Sequence, residues 1–447
     1  MSLYNRLLES VLLPVYYVSR GRRYPHHRRF LEQSQWWPPE RLREFQWQEL
    51  QPLLRTAFLH TPFYRQKYMA SGARLEDIRT WEDFASLPPL TREEIRQHRS
   101  EMRARSYTGK LIQHSTGGST GSPTRFDITM ESYDWRCAAS VRAYSWSGCR
   151  LGERTLYLWG APAGAQGRKQ SWKMNAFRRL RNELIIPTFH QSEEFWQDTY
   201  KRALQFRPRF IVGYVSSLEG LCKYLKSVGK QVPGVRAALA AAEPVQQATR
   251  TLVSSALDAP LFNTYGSREF MSIGAECEMH SGLHLNQENT LLETESGAEL
   301  GPSPILITDL HNLGMPFIRY QIGDMGLMSG RKCNCGRGLT LLDSVDGRVL
   351  DVLRTADGRV VPGELFPHLL KEIPEIIEFQ VWQKSLDHIL LSLVLCEELS
   401  ERSRALIESE TKKWMGNSTR LELNRVASIP RRGSGKLRVT IGLGQEP

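Results

Sequence analysis

Short apolar runs alternate with longer amphipathic stretches between residues 110 and 345 of this 447-residue chain. Phe210–Val212 precedes a helical pattern through Leu218, Leu221 and Leu225, and Ile305–Thr308 is a second strand candidate. Strands that alternate with helices favour a parallel or mixed sheet, because parallel strands need long crossover connections. The sequence therefore predicts the α/β class.

The regions on either side have different patterns. Residues 40–107 are typical of helices separated by proline-containing turns, and Thr91 begins a capping box that starts a helix. Beyond residue 352, Ile389–Leu395 alternates as a strand does, and residues 398–415 have a helical pattern. We therefore expect a small α+β domain of about a hundred residues at this end.

The balance of charges favours anionic partners. Lys and Arg number 59 against 48 Asp and Glu, which gives a formal net charge of +11. A nucleotide, an acidic membrane surface or a nucleic acid would each suit that charge. No RRM, KH or zinc-finger recognition pattern is present, so nucleic acid is not an expected partner.

The first 40 residues form an N-terminal arm with two interpretations. An apolar stretch from Leu7 to Val18 is broken by Pro14, and a basic run at 20–29 precedes Trp36 and Trp37. Such an arm can make peripheral contact with an anionic membrane. The alternative is an N-terminal helix packed on the domain, followed by a solvated basic loop.

Cysteine usage and hydropathy bear on the compartment. The seven cysteines are mostly scattered, which is unlike the disulfide framework of a small secreted domain. No segment approaches the roughly 20 apolar residues that span a bilayer, and the N-terminus lacks a signal-peptide pattern. We expect a cytoplasmic protein, with the inner face of the membrane as the site of any peripheral contact.

A run of small and hydroxyl residues from His114 to Pro123 is the main candidate ligand loop. Glycine lets the backbone approach a ligand closely, and successive N–H groups can cradle phosphate oxygens. The run is neither a Walker A loop nor a dinucleotide fingerprint. Composition alone leaves open whether it is a phosphate loop or a flexible linker. Its candidate phosphate-binding residues are Ser115, Thr116, Gly117, Gly118, Ser119, Thr120 and Gly121.

This run resembles the phosphate-binding signature of the adenylate-forming superfamily, which includes acyl-CoA synthetases, peptide-synthetase adenylation domains and luciferases. Other segments resemble that superfamily's motifs in the same order: Ala242-Glu243-Pro244, Asn263–Glu269, Tyr320–Asp324, Gly347-Arg348 and Pro430–Lys436. The phenylacetate-CoA ligase branch, with its capsule-biosynthesis-like members, is the most similar one. That likeness rests on Pro62–Arg65, Leu87–Thr91, Cys277–His280, Gly282–His284 and Cys333–Gly338.

The resemblance implies a domain organisation. The N-terminal arm at 1–40 would be followed by a large adenylate-forming domain at 41–346, with mixed β-sheets and helices. A hinge at 347–351 would lead to a small, mobile α+β C-terminal domain at 352–447. The hinge departs from the family pattern, because Leu350 replaces one of two usual carboxylates and Asp351 alone remains.

The resemblance also implies a nucleotide site. The loop would hold the β- and γ-phosphates of ATP, Glu269 would bind Mg²⁺, and Lys436 would lie between the acyl carboxylate and the α-phosphate. Tyr265 would stack on adenine, with Asn263 at its edge. The full implied nucleotide-binding set is Ser115, Thr116, Gly117, Gly118, Ser119, Thr120, Gly121, Glu243, Pro244, Asn263, Thr264, Tyr265, Gly266, Ser267, Asp324 and Arg348, the last two at the ribose.

The implied activity is ATP-dependent activation of a carboxylic acid through an acyl-adenylate, with release of pyrophosphate. The acyl group would pass to a thiol, CoA, and an aryl acid is favoured. One alternative keeps the adenylate but transfers the acyl group to an amine or hydroxyl, in polysaccharide or secondary metabolism. Another is a non-catalytic nucleotide-binding scaffold.

Four residues form two close pairs of metal-ligand type: Cys277 with His280, and Cys333 with Cys335. Thiolate and imidazole are the ligands of structural Zn²⁺, although Cys-x-Cys is tighter than the usual spacing. His284 is a possible substitute for His280. The alternative is a set of unliganded thiols in a reducing cell. The sequence predicts a structural zinc site, since four protein ligands leave no open position for catalysis.

Overall fold

The computed structural model describes residues 3–115, 124–159, 168–188, 193–294, 302–348, 353–356, 360–361, 365–370, 373–430 and 439–444. These residues form two compact units. The first contains the described residues from 3 to 322 and from 326 to 345, and the second contains 323–325 and those from 346 onward. The predicted domain and hinge boundaries stay predictions.

Twelve α-helices belong to the described part of the first unit. They are α1 (Leu3–Leu7), α2 (Leu13–Val18), α3 (Tyr24–Ser34), α4 (Pro39–His60), α5 (Pro62–Ala70), α6 (Trp81–Ala85), α7 (Arg92–His98), α8 (Met130–Ser145), α9 (Arg168–Leu180), α10 (Glu193–Phe206), α11 (Val215–Ser227) and α12 (Gln247–Leu257). A π-helical turn at Leu8–Leu12 joins α1 to α2, and a 3₁₀ turn lies at Leu75–Asp77. The helical character predicted for 40–107 is confirmed.

Strands β1 (Leu111–Ser115) and β2 (Arg125–Thr129) form an antiparallel pair. Eleven further strands form one large sheet: β3 (Thr155–Trp159), β4 (Glu183–Pro187), β5 (Phe210–Tyr214), β6 (Ala237–Ala241), β7 (Leu261–Ser267), β8 (Met271–Glu276), β9 (Leu283–Leu285), β10 (Thr290–Thr294), β11 (Ser303–Asp309), β12 (Tyr320–Met328) and β13 (Leu341–Arg348). Their order across the sheet is β10-β11-β12-β13-β9-β8-β7-β6-β5-β3-β4.

The large sheet changes direction at β7. Strands β4, β3, β5, β6 and β7 are mutually parallel, whereas β7 pairs antiparallel with β8, and β8 with β9. Strands β5 and β6, in the middle of the parallel part, are buried on both faces, as their apolar sequences require. Leu218, Leu221 and Leu225 of α11 pack on one face of it, beside Ile211 of β5 and Ala238 of β6. Full burial of one such leucine contributes about 1.5–3 kcal/mol. The mixed sheet confirms the predicted α/β class.

The N-terminal arm is helical both in its apolar stretch and in much of the basic run that follows it. The run from Leu3 to Val18 is continuous, and its π-helical turn ends two residues before Pro14, which has no N–H to donate to the preceding turn. The basic run begins in the exposed turn before α3 and continues into that helix, so the solvated-loop interpretation holds for its start and is wrong for the part inside α3. Its residues have acidic partners that lie far along the chain, including Asp134 for Arg22 and Glu9 for Arg28.

The second unit contains α13 (Leu365–Leu370), α14 (Glu401–Met415), β14 (Leu353–Arg354), β15 (Val360–Val361), β16 (Ile376–Ser385), β17 (His388–Leu395), β18 (Arg420–Arg425) and β19 (Thr440–Ile441). Four strands form a sheet in the order β18-β17-β16-β19. Alternate residues of β17, Ile389, Leu391 and Leu393, are buried, which confirms the predicted strand. Helix α14 begins at Glu401, after a hydroxyl cap at Ser400 that accepts a hydrogen bond from the Ser403 N–H.

No helix in the described ranges is both long enough and apolar enough to cross a membrane.

Candidate active site and metal-binding cluster

The carboxyl ends of β5, β6 and β7 lie at one edge of the large sheet, because the three strands are parallel and adjacent. Val215, Ala242 and Gly266 mark the points where the chain reaches this edge. The sheet also changes from parallel to antiparallel pairing here, and ligands of open α/β sheets bind at such edges. The Ala242-Glu243-Pro244 and Asn263–Glu269 motifs are therefore neighbours in space.

Glu243 is fixed against the first turn of α11. Its carboxylate accepts a hydrogen bond of 2.6 Å from the Ser216 backbone N–H and one of 3.0 Å from the Ser216 hydroxyl. The N-terminus of a helix attracts negative charge and has unpaired N–H groups. The preceding residue, Ala242, has φ of 69°, the left-handed conformation that glycine adopts without penalty. Alanine therefore takes a left-handed conformation at the position where the resembled motif has glycine.

Asn263, Thr264 and Tyr265 are held by backbone and side-chain hydrogen bonds along β7. The Asn263 N–H donates to the Glu276 carboxylate at 2.8 Å, and the Thr264 hydroxyl donates to the Ala240 carbonyl of β6, also at 2.8 Å. Tyr265 is buried in the largest apolar core of the first unit. These contacts place the motif at the sheet edge, and the adenine contact of Tyr265 stays a prediction.

Gly266 makes the turn between β7 and β8 possible. The pairing shifts register between Tyr265 and Gly266, and a Cβ atom on Gly266 would lie 2.2 Å from the Met271 carbonyl oxygen. The Ser267 hydroxyl then accepts a hydrogen bond of 3.2 Å from the Phe270 N–H. This tight turn carries Glu269.

We expect the Gly266→Ala substitution to destabilise the protein and displace the Glu269 turn, because the clash is with backbone. Overpacking of this kind costs about 1–3 kcal/mol. The check is thermal unfolding together with turnover as a function of Mg²⁺ concentration. Gly330→Ala is the matched control, since a Cβ there meets no atom within 4 Å. Equal melting temperatures for the two variants would contradict the packing argument.

Glu269 is a buried carboxylate, 4% exposed, with two partners. The Tyr320 hydroxyl donates to Glu269 Oε1 at 3.3 Å, and Nη2 of Arg92 lies 3.9 Å from the same oxygen. Burial and the negative charge of Glu269 raise the pKa of Tyr320 above its ordinary value, which keeps the phenol protonated. A buried carboxylate requires such partners, because desolvation of an unpaired charge is very costly.

Arg92 reaches this site through a long-range backbone contact. The Leu90 N–H donates to the Arg319 carbonyl at 3.0 Å, and the Gln321 N–H donates to the Leu90 carbonyl at 2.9 Å. Thr91 then caps α7 by the predicted capping box, so that Arg92 is the first residue of the helix. The sequence indicated the cap but not the role of Arg92, whose partner Tyr320 lies 228 residues away. No local pattern connects the two.

A second cluster combines four metal-ligating side chains. The ligand atoms of Cys277, His284, Cys333 and Cys335 all lie within 4.8 Å of one another. The Sγ atoms of Cys277 and Cys333 are 3.6 Å apart, and Sγ of Cys335 is 3.3 Å from Nε2 of His284. Cys277 follows β8, and His284 lies opposite Ala275 in the β8–β9 pair. Strand pairing therefore brings two of the four together.

His280 is not part of this cluster. Its Nδ1 atom is 3.0 Å from the Glu276 carboxylate, and its ring lies on that of Phe262 at 4.4 Å between centroids. The prediction of His280 as the fourth ligand is therefore wrong. His284, its predicted substitute, takes the position because the hairpin returns the chain beside Cys277.

Burial and one cation determine the protonation of the cluster. Burial raises the pKa of the Cys277 thiol to about 12. Burial on its own would also raise the pKa of Cys335, but hydrogen bonds from Arg337 and Cys333 outweigh it and hold that pKa below the ordinary value. Burial, followed by the positive charge of Arg337, lowers the pKa of His284 to about 4. The imidazole is thus neutral near pH 7, which is the form that binds a metal.

The loop that carries Cys333 and Cys335 packs on the segment between α3 and α4. The Gly338 N–H donates to the Gln35 carbonyl at 2.9 Å, and a Cβ on Gly338 would lie 1.8 Å from the Trp37 carbonyl oxygen. Because Cys277 follows β8 and His284 lies in β9, a metal at the cluster would also fasten this loop to the large sheet.

Comparisons with known proteins cover most of the chain. Residues 353–442 match the family model of the CapK C-terminal domain. The phenylacetate-coenzyme A ligase of Thermus thermophilus is 24% identical in an alignment of 443 positions, which covers 91% of this chain and 97% of that protein. The enzyme of the same name from Escherichia coli K12 is 25% identical and covers 88% of this chain and 93% of its own length.

Over most of its length the chain is similar to the phenylacetate-CoA ligase branch of the adenylate-forming superfamily. A solved structure of 2-hydroxyisobutyryl-CoA ligase, in the postadenylation state, has the same fold with a TM-score of 0.68. The two sequences are 20% identical, and the match covers 90% of each chain. The curated relatives and the CapK match together confirm the predicted resemblance to this superfamily and branch.

Several of the residues that the resemblance implies for the nucleotide site lie outside the described part of the chain. Thr116 to Gly121, the hinge residue Asp351 and Lys436 lie outside the described residues, as does the side chain of Arg348 at the end of β13. Ser115 is the exposed last residue of β1. Asp324 is half-buried in β12, after Gly323 with φ of 85°. The roles assigned to these residues stay predictions.

Proposed function

We propose that this protein is an ATP-dependent acid ligase. It joins a carboxylate oxygen to the α-phosphorus of ATP, releases pyrophosphate, and then transfers the acyl group to the thiol of CoA with loss of AMP. The observation that carries this proposal is the likeness to phenylacetate-coenzyme A ligases over 88–91% of the chain. The shared sheet edge of Glu243, Asn263–Ser267 and Glu269 supports it.

Within this proposal, Glu269 is the Mg²⁺ ligand. Mg²⁺ in nucleotide sites takes one or two carboxylates, with phosphate and water oxygens as its other ligands, so a single carboxylate fits. The ion would supply charge neutralisation at the phosphates. Tyr320 and Arg92 orient the Glu269 carboxylate through the contacts at 3.3 and 3.9 Å. Positioning of this kind lowers the reorganisation needed during the reaction.

The remaining nucleotide contacts follow the family motifs. We assign the phosphates to the loop at Ser115–Gly121, the ribose to Asp324 and Arg348, and the reacting carboxylate and α-phosphate to Lys436. An ammonium group on a small domain suits the last role, because its compact charge can be delivered and withdrawn.

The favoured acid is an aryl acid, in line with the phenylacetate named for the relatives. A second candidate keeps the adenylate but uses an amine or hydroxyl acceptor. It is favoured by the CapK match at 353–442 and by Leu350, where the family hinge has a carboxylate.

Pyrophosphate release across a panel of aryl and aliphatic acids, each with and without CoA, tests both candidates. We expect release that depends on one acid, with its CoA thioester as the product. Acid-dependent release without a thioester would favour the second candidate. Absence of release with every acid would count against both and favour the scaffold alternative.

We also propose that Cys277, His284, Cys333 and Cys335 hold a structural zinc ion. Three thiols and one imidazole are an established donor set for structural Zn²⁺, and four protein ligands leave no position for a substrate. The metal would fix the loop at 333–340, and its binding would release the proton held by the Cys277 thiol.

We expect about one zinc ion per chain when the protein is purified without a chelator, as measured by elemental analysis. His284→Ala should remove most of the zinc and lower the melting temperature, whereas His280→Ala should keep the zinc. Cys333→Ser is expected to behave like His284→Ala, with buried Cys222→Ser as its control. Zinc-free wild-type protein, or loss of zinc in His280→Ala alone, would contradict the assignment.

A further inference from the structure

The helical run from Leu3 to Val18 is apolar on its solvent side. Five exposed apolar residues follow one another at intervals of four, four, four and three residues: Leu3, Leu7, Val11, Val15 and Val18. Residues four apart in an α-helix drift by about 40° around its axis at each step. The wider π-helical turn at Leu8–Leu12 counteracts this drift, so that the five residues share one face.

The same run is anchored to the first unit by other residues. Leu8 and Leu13 are buried in a cluster with Leu151, and the Asn5 amide donates to Glu153 at 2.7 Å. A surface helix that buries one face normally has a polar opposite face. Here both faces are apolar, and Leu3, Val15 and Val18 are 84%, 62% and 64% exposed. Contiguous exposed apolar surface of this kind indicates an interaction site.

Helix α9 extends this surface. The Tyr4 hydroxyl donates to the Leu180 carbonyl, and the rings of Tyr16 and Phe177 lie 5.5 Å apart. Trp172 of α9 is 72% exposed. Leu180 and the preceding residue, Arg179, are also exposed at the end of this helix. Four of the six most exposed large apolar residues in the described chain lie on these two segments. We call the exposed residues of 3–20 and 172–180 the N-terminal face.

The N-terminal face is strongly cationic. Helix α9 contains no acidic residue, and its described part includes Lys173, Arg178 and Arg179. Arg6 and Arg20 are exposed on the first segment. The only acidic residue at 3–20 is Glu9, which is paired with Arg28.

We propose that the N-terminal face docks on an anionic lipid bilayer and holds the protein at the membrane surface. A helix that lies in the interface combines an apolar face with cationic residues and tryptophan, which is the composition found here. Each cation near an acidic membrane surface adds attraction that salt weakens. Nothing in acid activation requires such a surface, so this binding is separate from the proposed ligase activity.

Co-sedimentation with vesicles tests the proposal. The full-length protein should bind phosphatidylcholine vesicles that contain phosphatidylglycerol, bind pure phosphatidylcholine much less, and dissociate as salt is raised. Val15→Asp should lower the apparent partition coefficient by about tenfold or more, because a charge then enters the apolar layer. Met69→Asp is the matched control, since Met69 is 74% exposed on α5, outside the N-terminal face.

Lys173→Glu separates the charge component from the apolar one. It should weaken binding to anionic vesicles and leave the residual binding to neutral vesicles unchanged, whereas Lys201→Glu on α10 should change neither. Val18→Ser repeats the apolar test without a buried charge, in case Val15→Asp unfolds. Acid-dependent pyrophosphate release in solution should be the same for all these variants.

Three results would overturn the proposal. One is absence of binding to anionic vesicles at low salt. Another is equal loss of binding in Val15→Asp and Met69→Asp. The third is a dimer in sedimentation velocity that Val15→Asp dissociates, which would assign the face to a second copy of this chain.

Discussion

The Glu269→Gln variant is expected to lose about 10²–10³-fold in Mg²⁺-dependent pyrophosphate release, the usual effect of removing one preorganised electrostatic group. The amide keeps the size of the side chain but loses the negative charge that a magnesium ion requires. Tyr320 would remain in place, because an amide oxygen can still accept its hydrogen bond, and the Arg92 guanidinium, 3.9 Å away, can still lie beside that oxygen. The loss should therefore appear in turnover rather than in folding.

Turnover measured across a range of Mg²⁺ concentrations checks this result. Glu93→Gln is the control, since Glu93 lies next to Arg92 on α7 and is exposed, with Arg96 as its partner. A normal magnesium response in Glu269→Gln would remove Glu269 from metal binding. The same loss in Glu93→Gln would show that a change in α7, rather than the charge of Glu269, lowers turnover.

The Lys436→Ala variant is expected to abolish adenylate formation, with a loss of more than about 10³-fold. The ammonium group would neutralise charge that develops on the α-phosphate during attack by the carboxylate. Because the other proposed nucleotide contacts remain, ATP binding should stay close to that of the wild type. An effect confined to turnover is the sign of an interaction made only in the transition state.

Single-turnover formation of the acyl-adenylate, together with ATP binding by calorimetry, measures the two quantities separately. Lys413→Ala is the control, since Lys413 is an exposed lysine of α14 that pairs with Glu410. Unchanged adenylate formation in Lys436→Ala would exclude the lysine from the mechanism.

Local patterns in the sequence predicted local structure well. The Thr91 capping box, the β5–α11 sequence and the alternation in β17 all appear as expected. Each depends on residues a few positions apart, so that propensity and hydrophobic period are sufficient. The ordered motifs predicted the superfamily because they span most of the chain.

Contacts between distant residues could not be predicted. Arg92 approaches Glu269 only because Leu90 pairs with β12, and Asp134 draws Arg22 into the packed surface. The choice of His284 over His280 depends on strand register, which a Cys-x-x-His spacing does not reveal. In each case the deciding interaction is tertiary, and the residue type alone is compatible with several partners.

ATP–pyrophosphate exchange without CoA tests the central claim most directly. Reversible adenylate formation should incorporate labelled pyrophosphate into ATP only when the correct acid and Mg²⁺ are both present, and an aryl acid is expected to give the fastest exchange. Exchange that is independent of the acid, or absent for every aryl and aliphatic acid in wild-type protein that binds ATP, would contradict an acyl-adenylate mechanism.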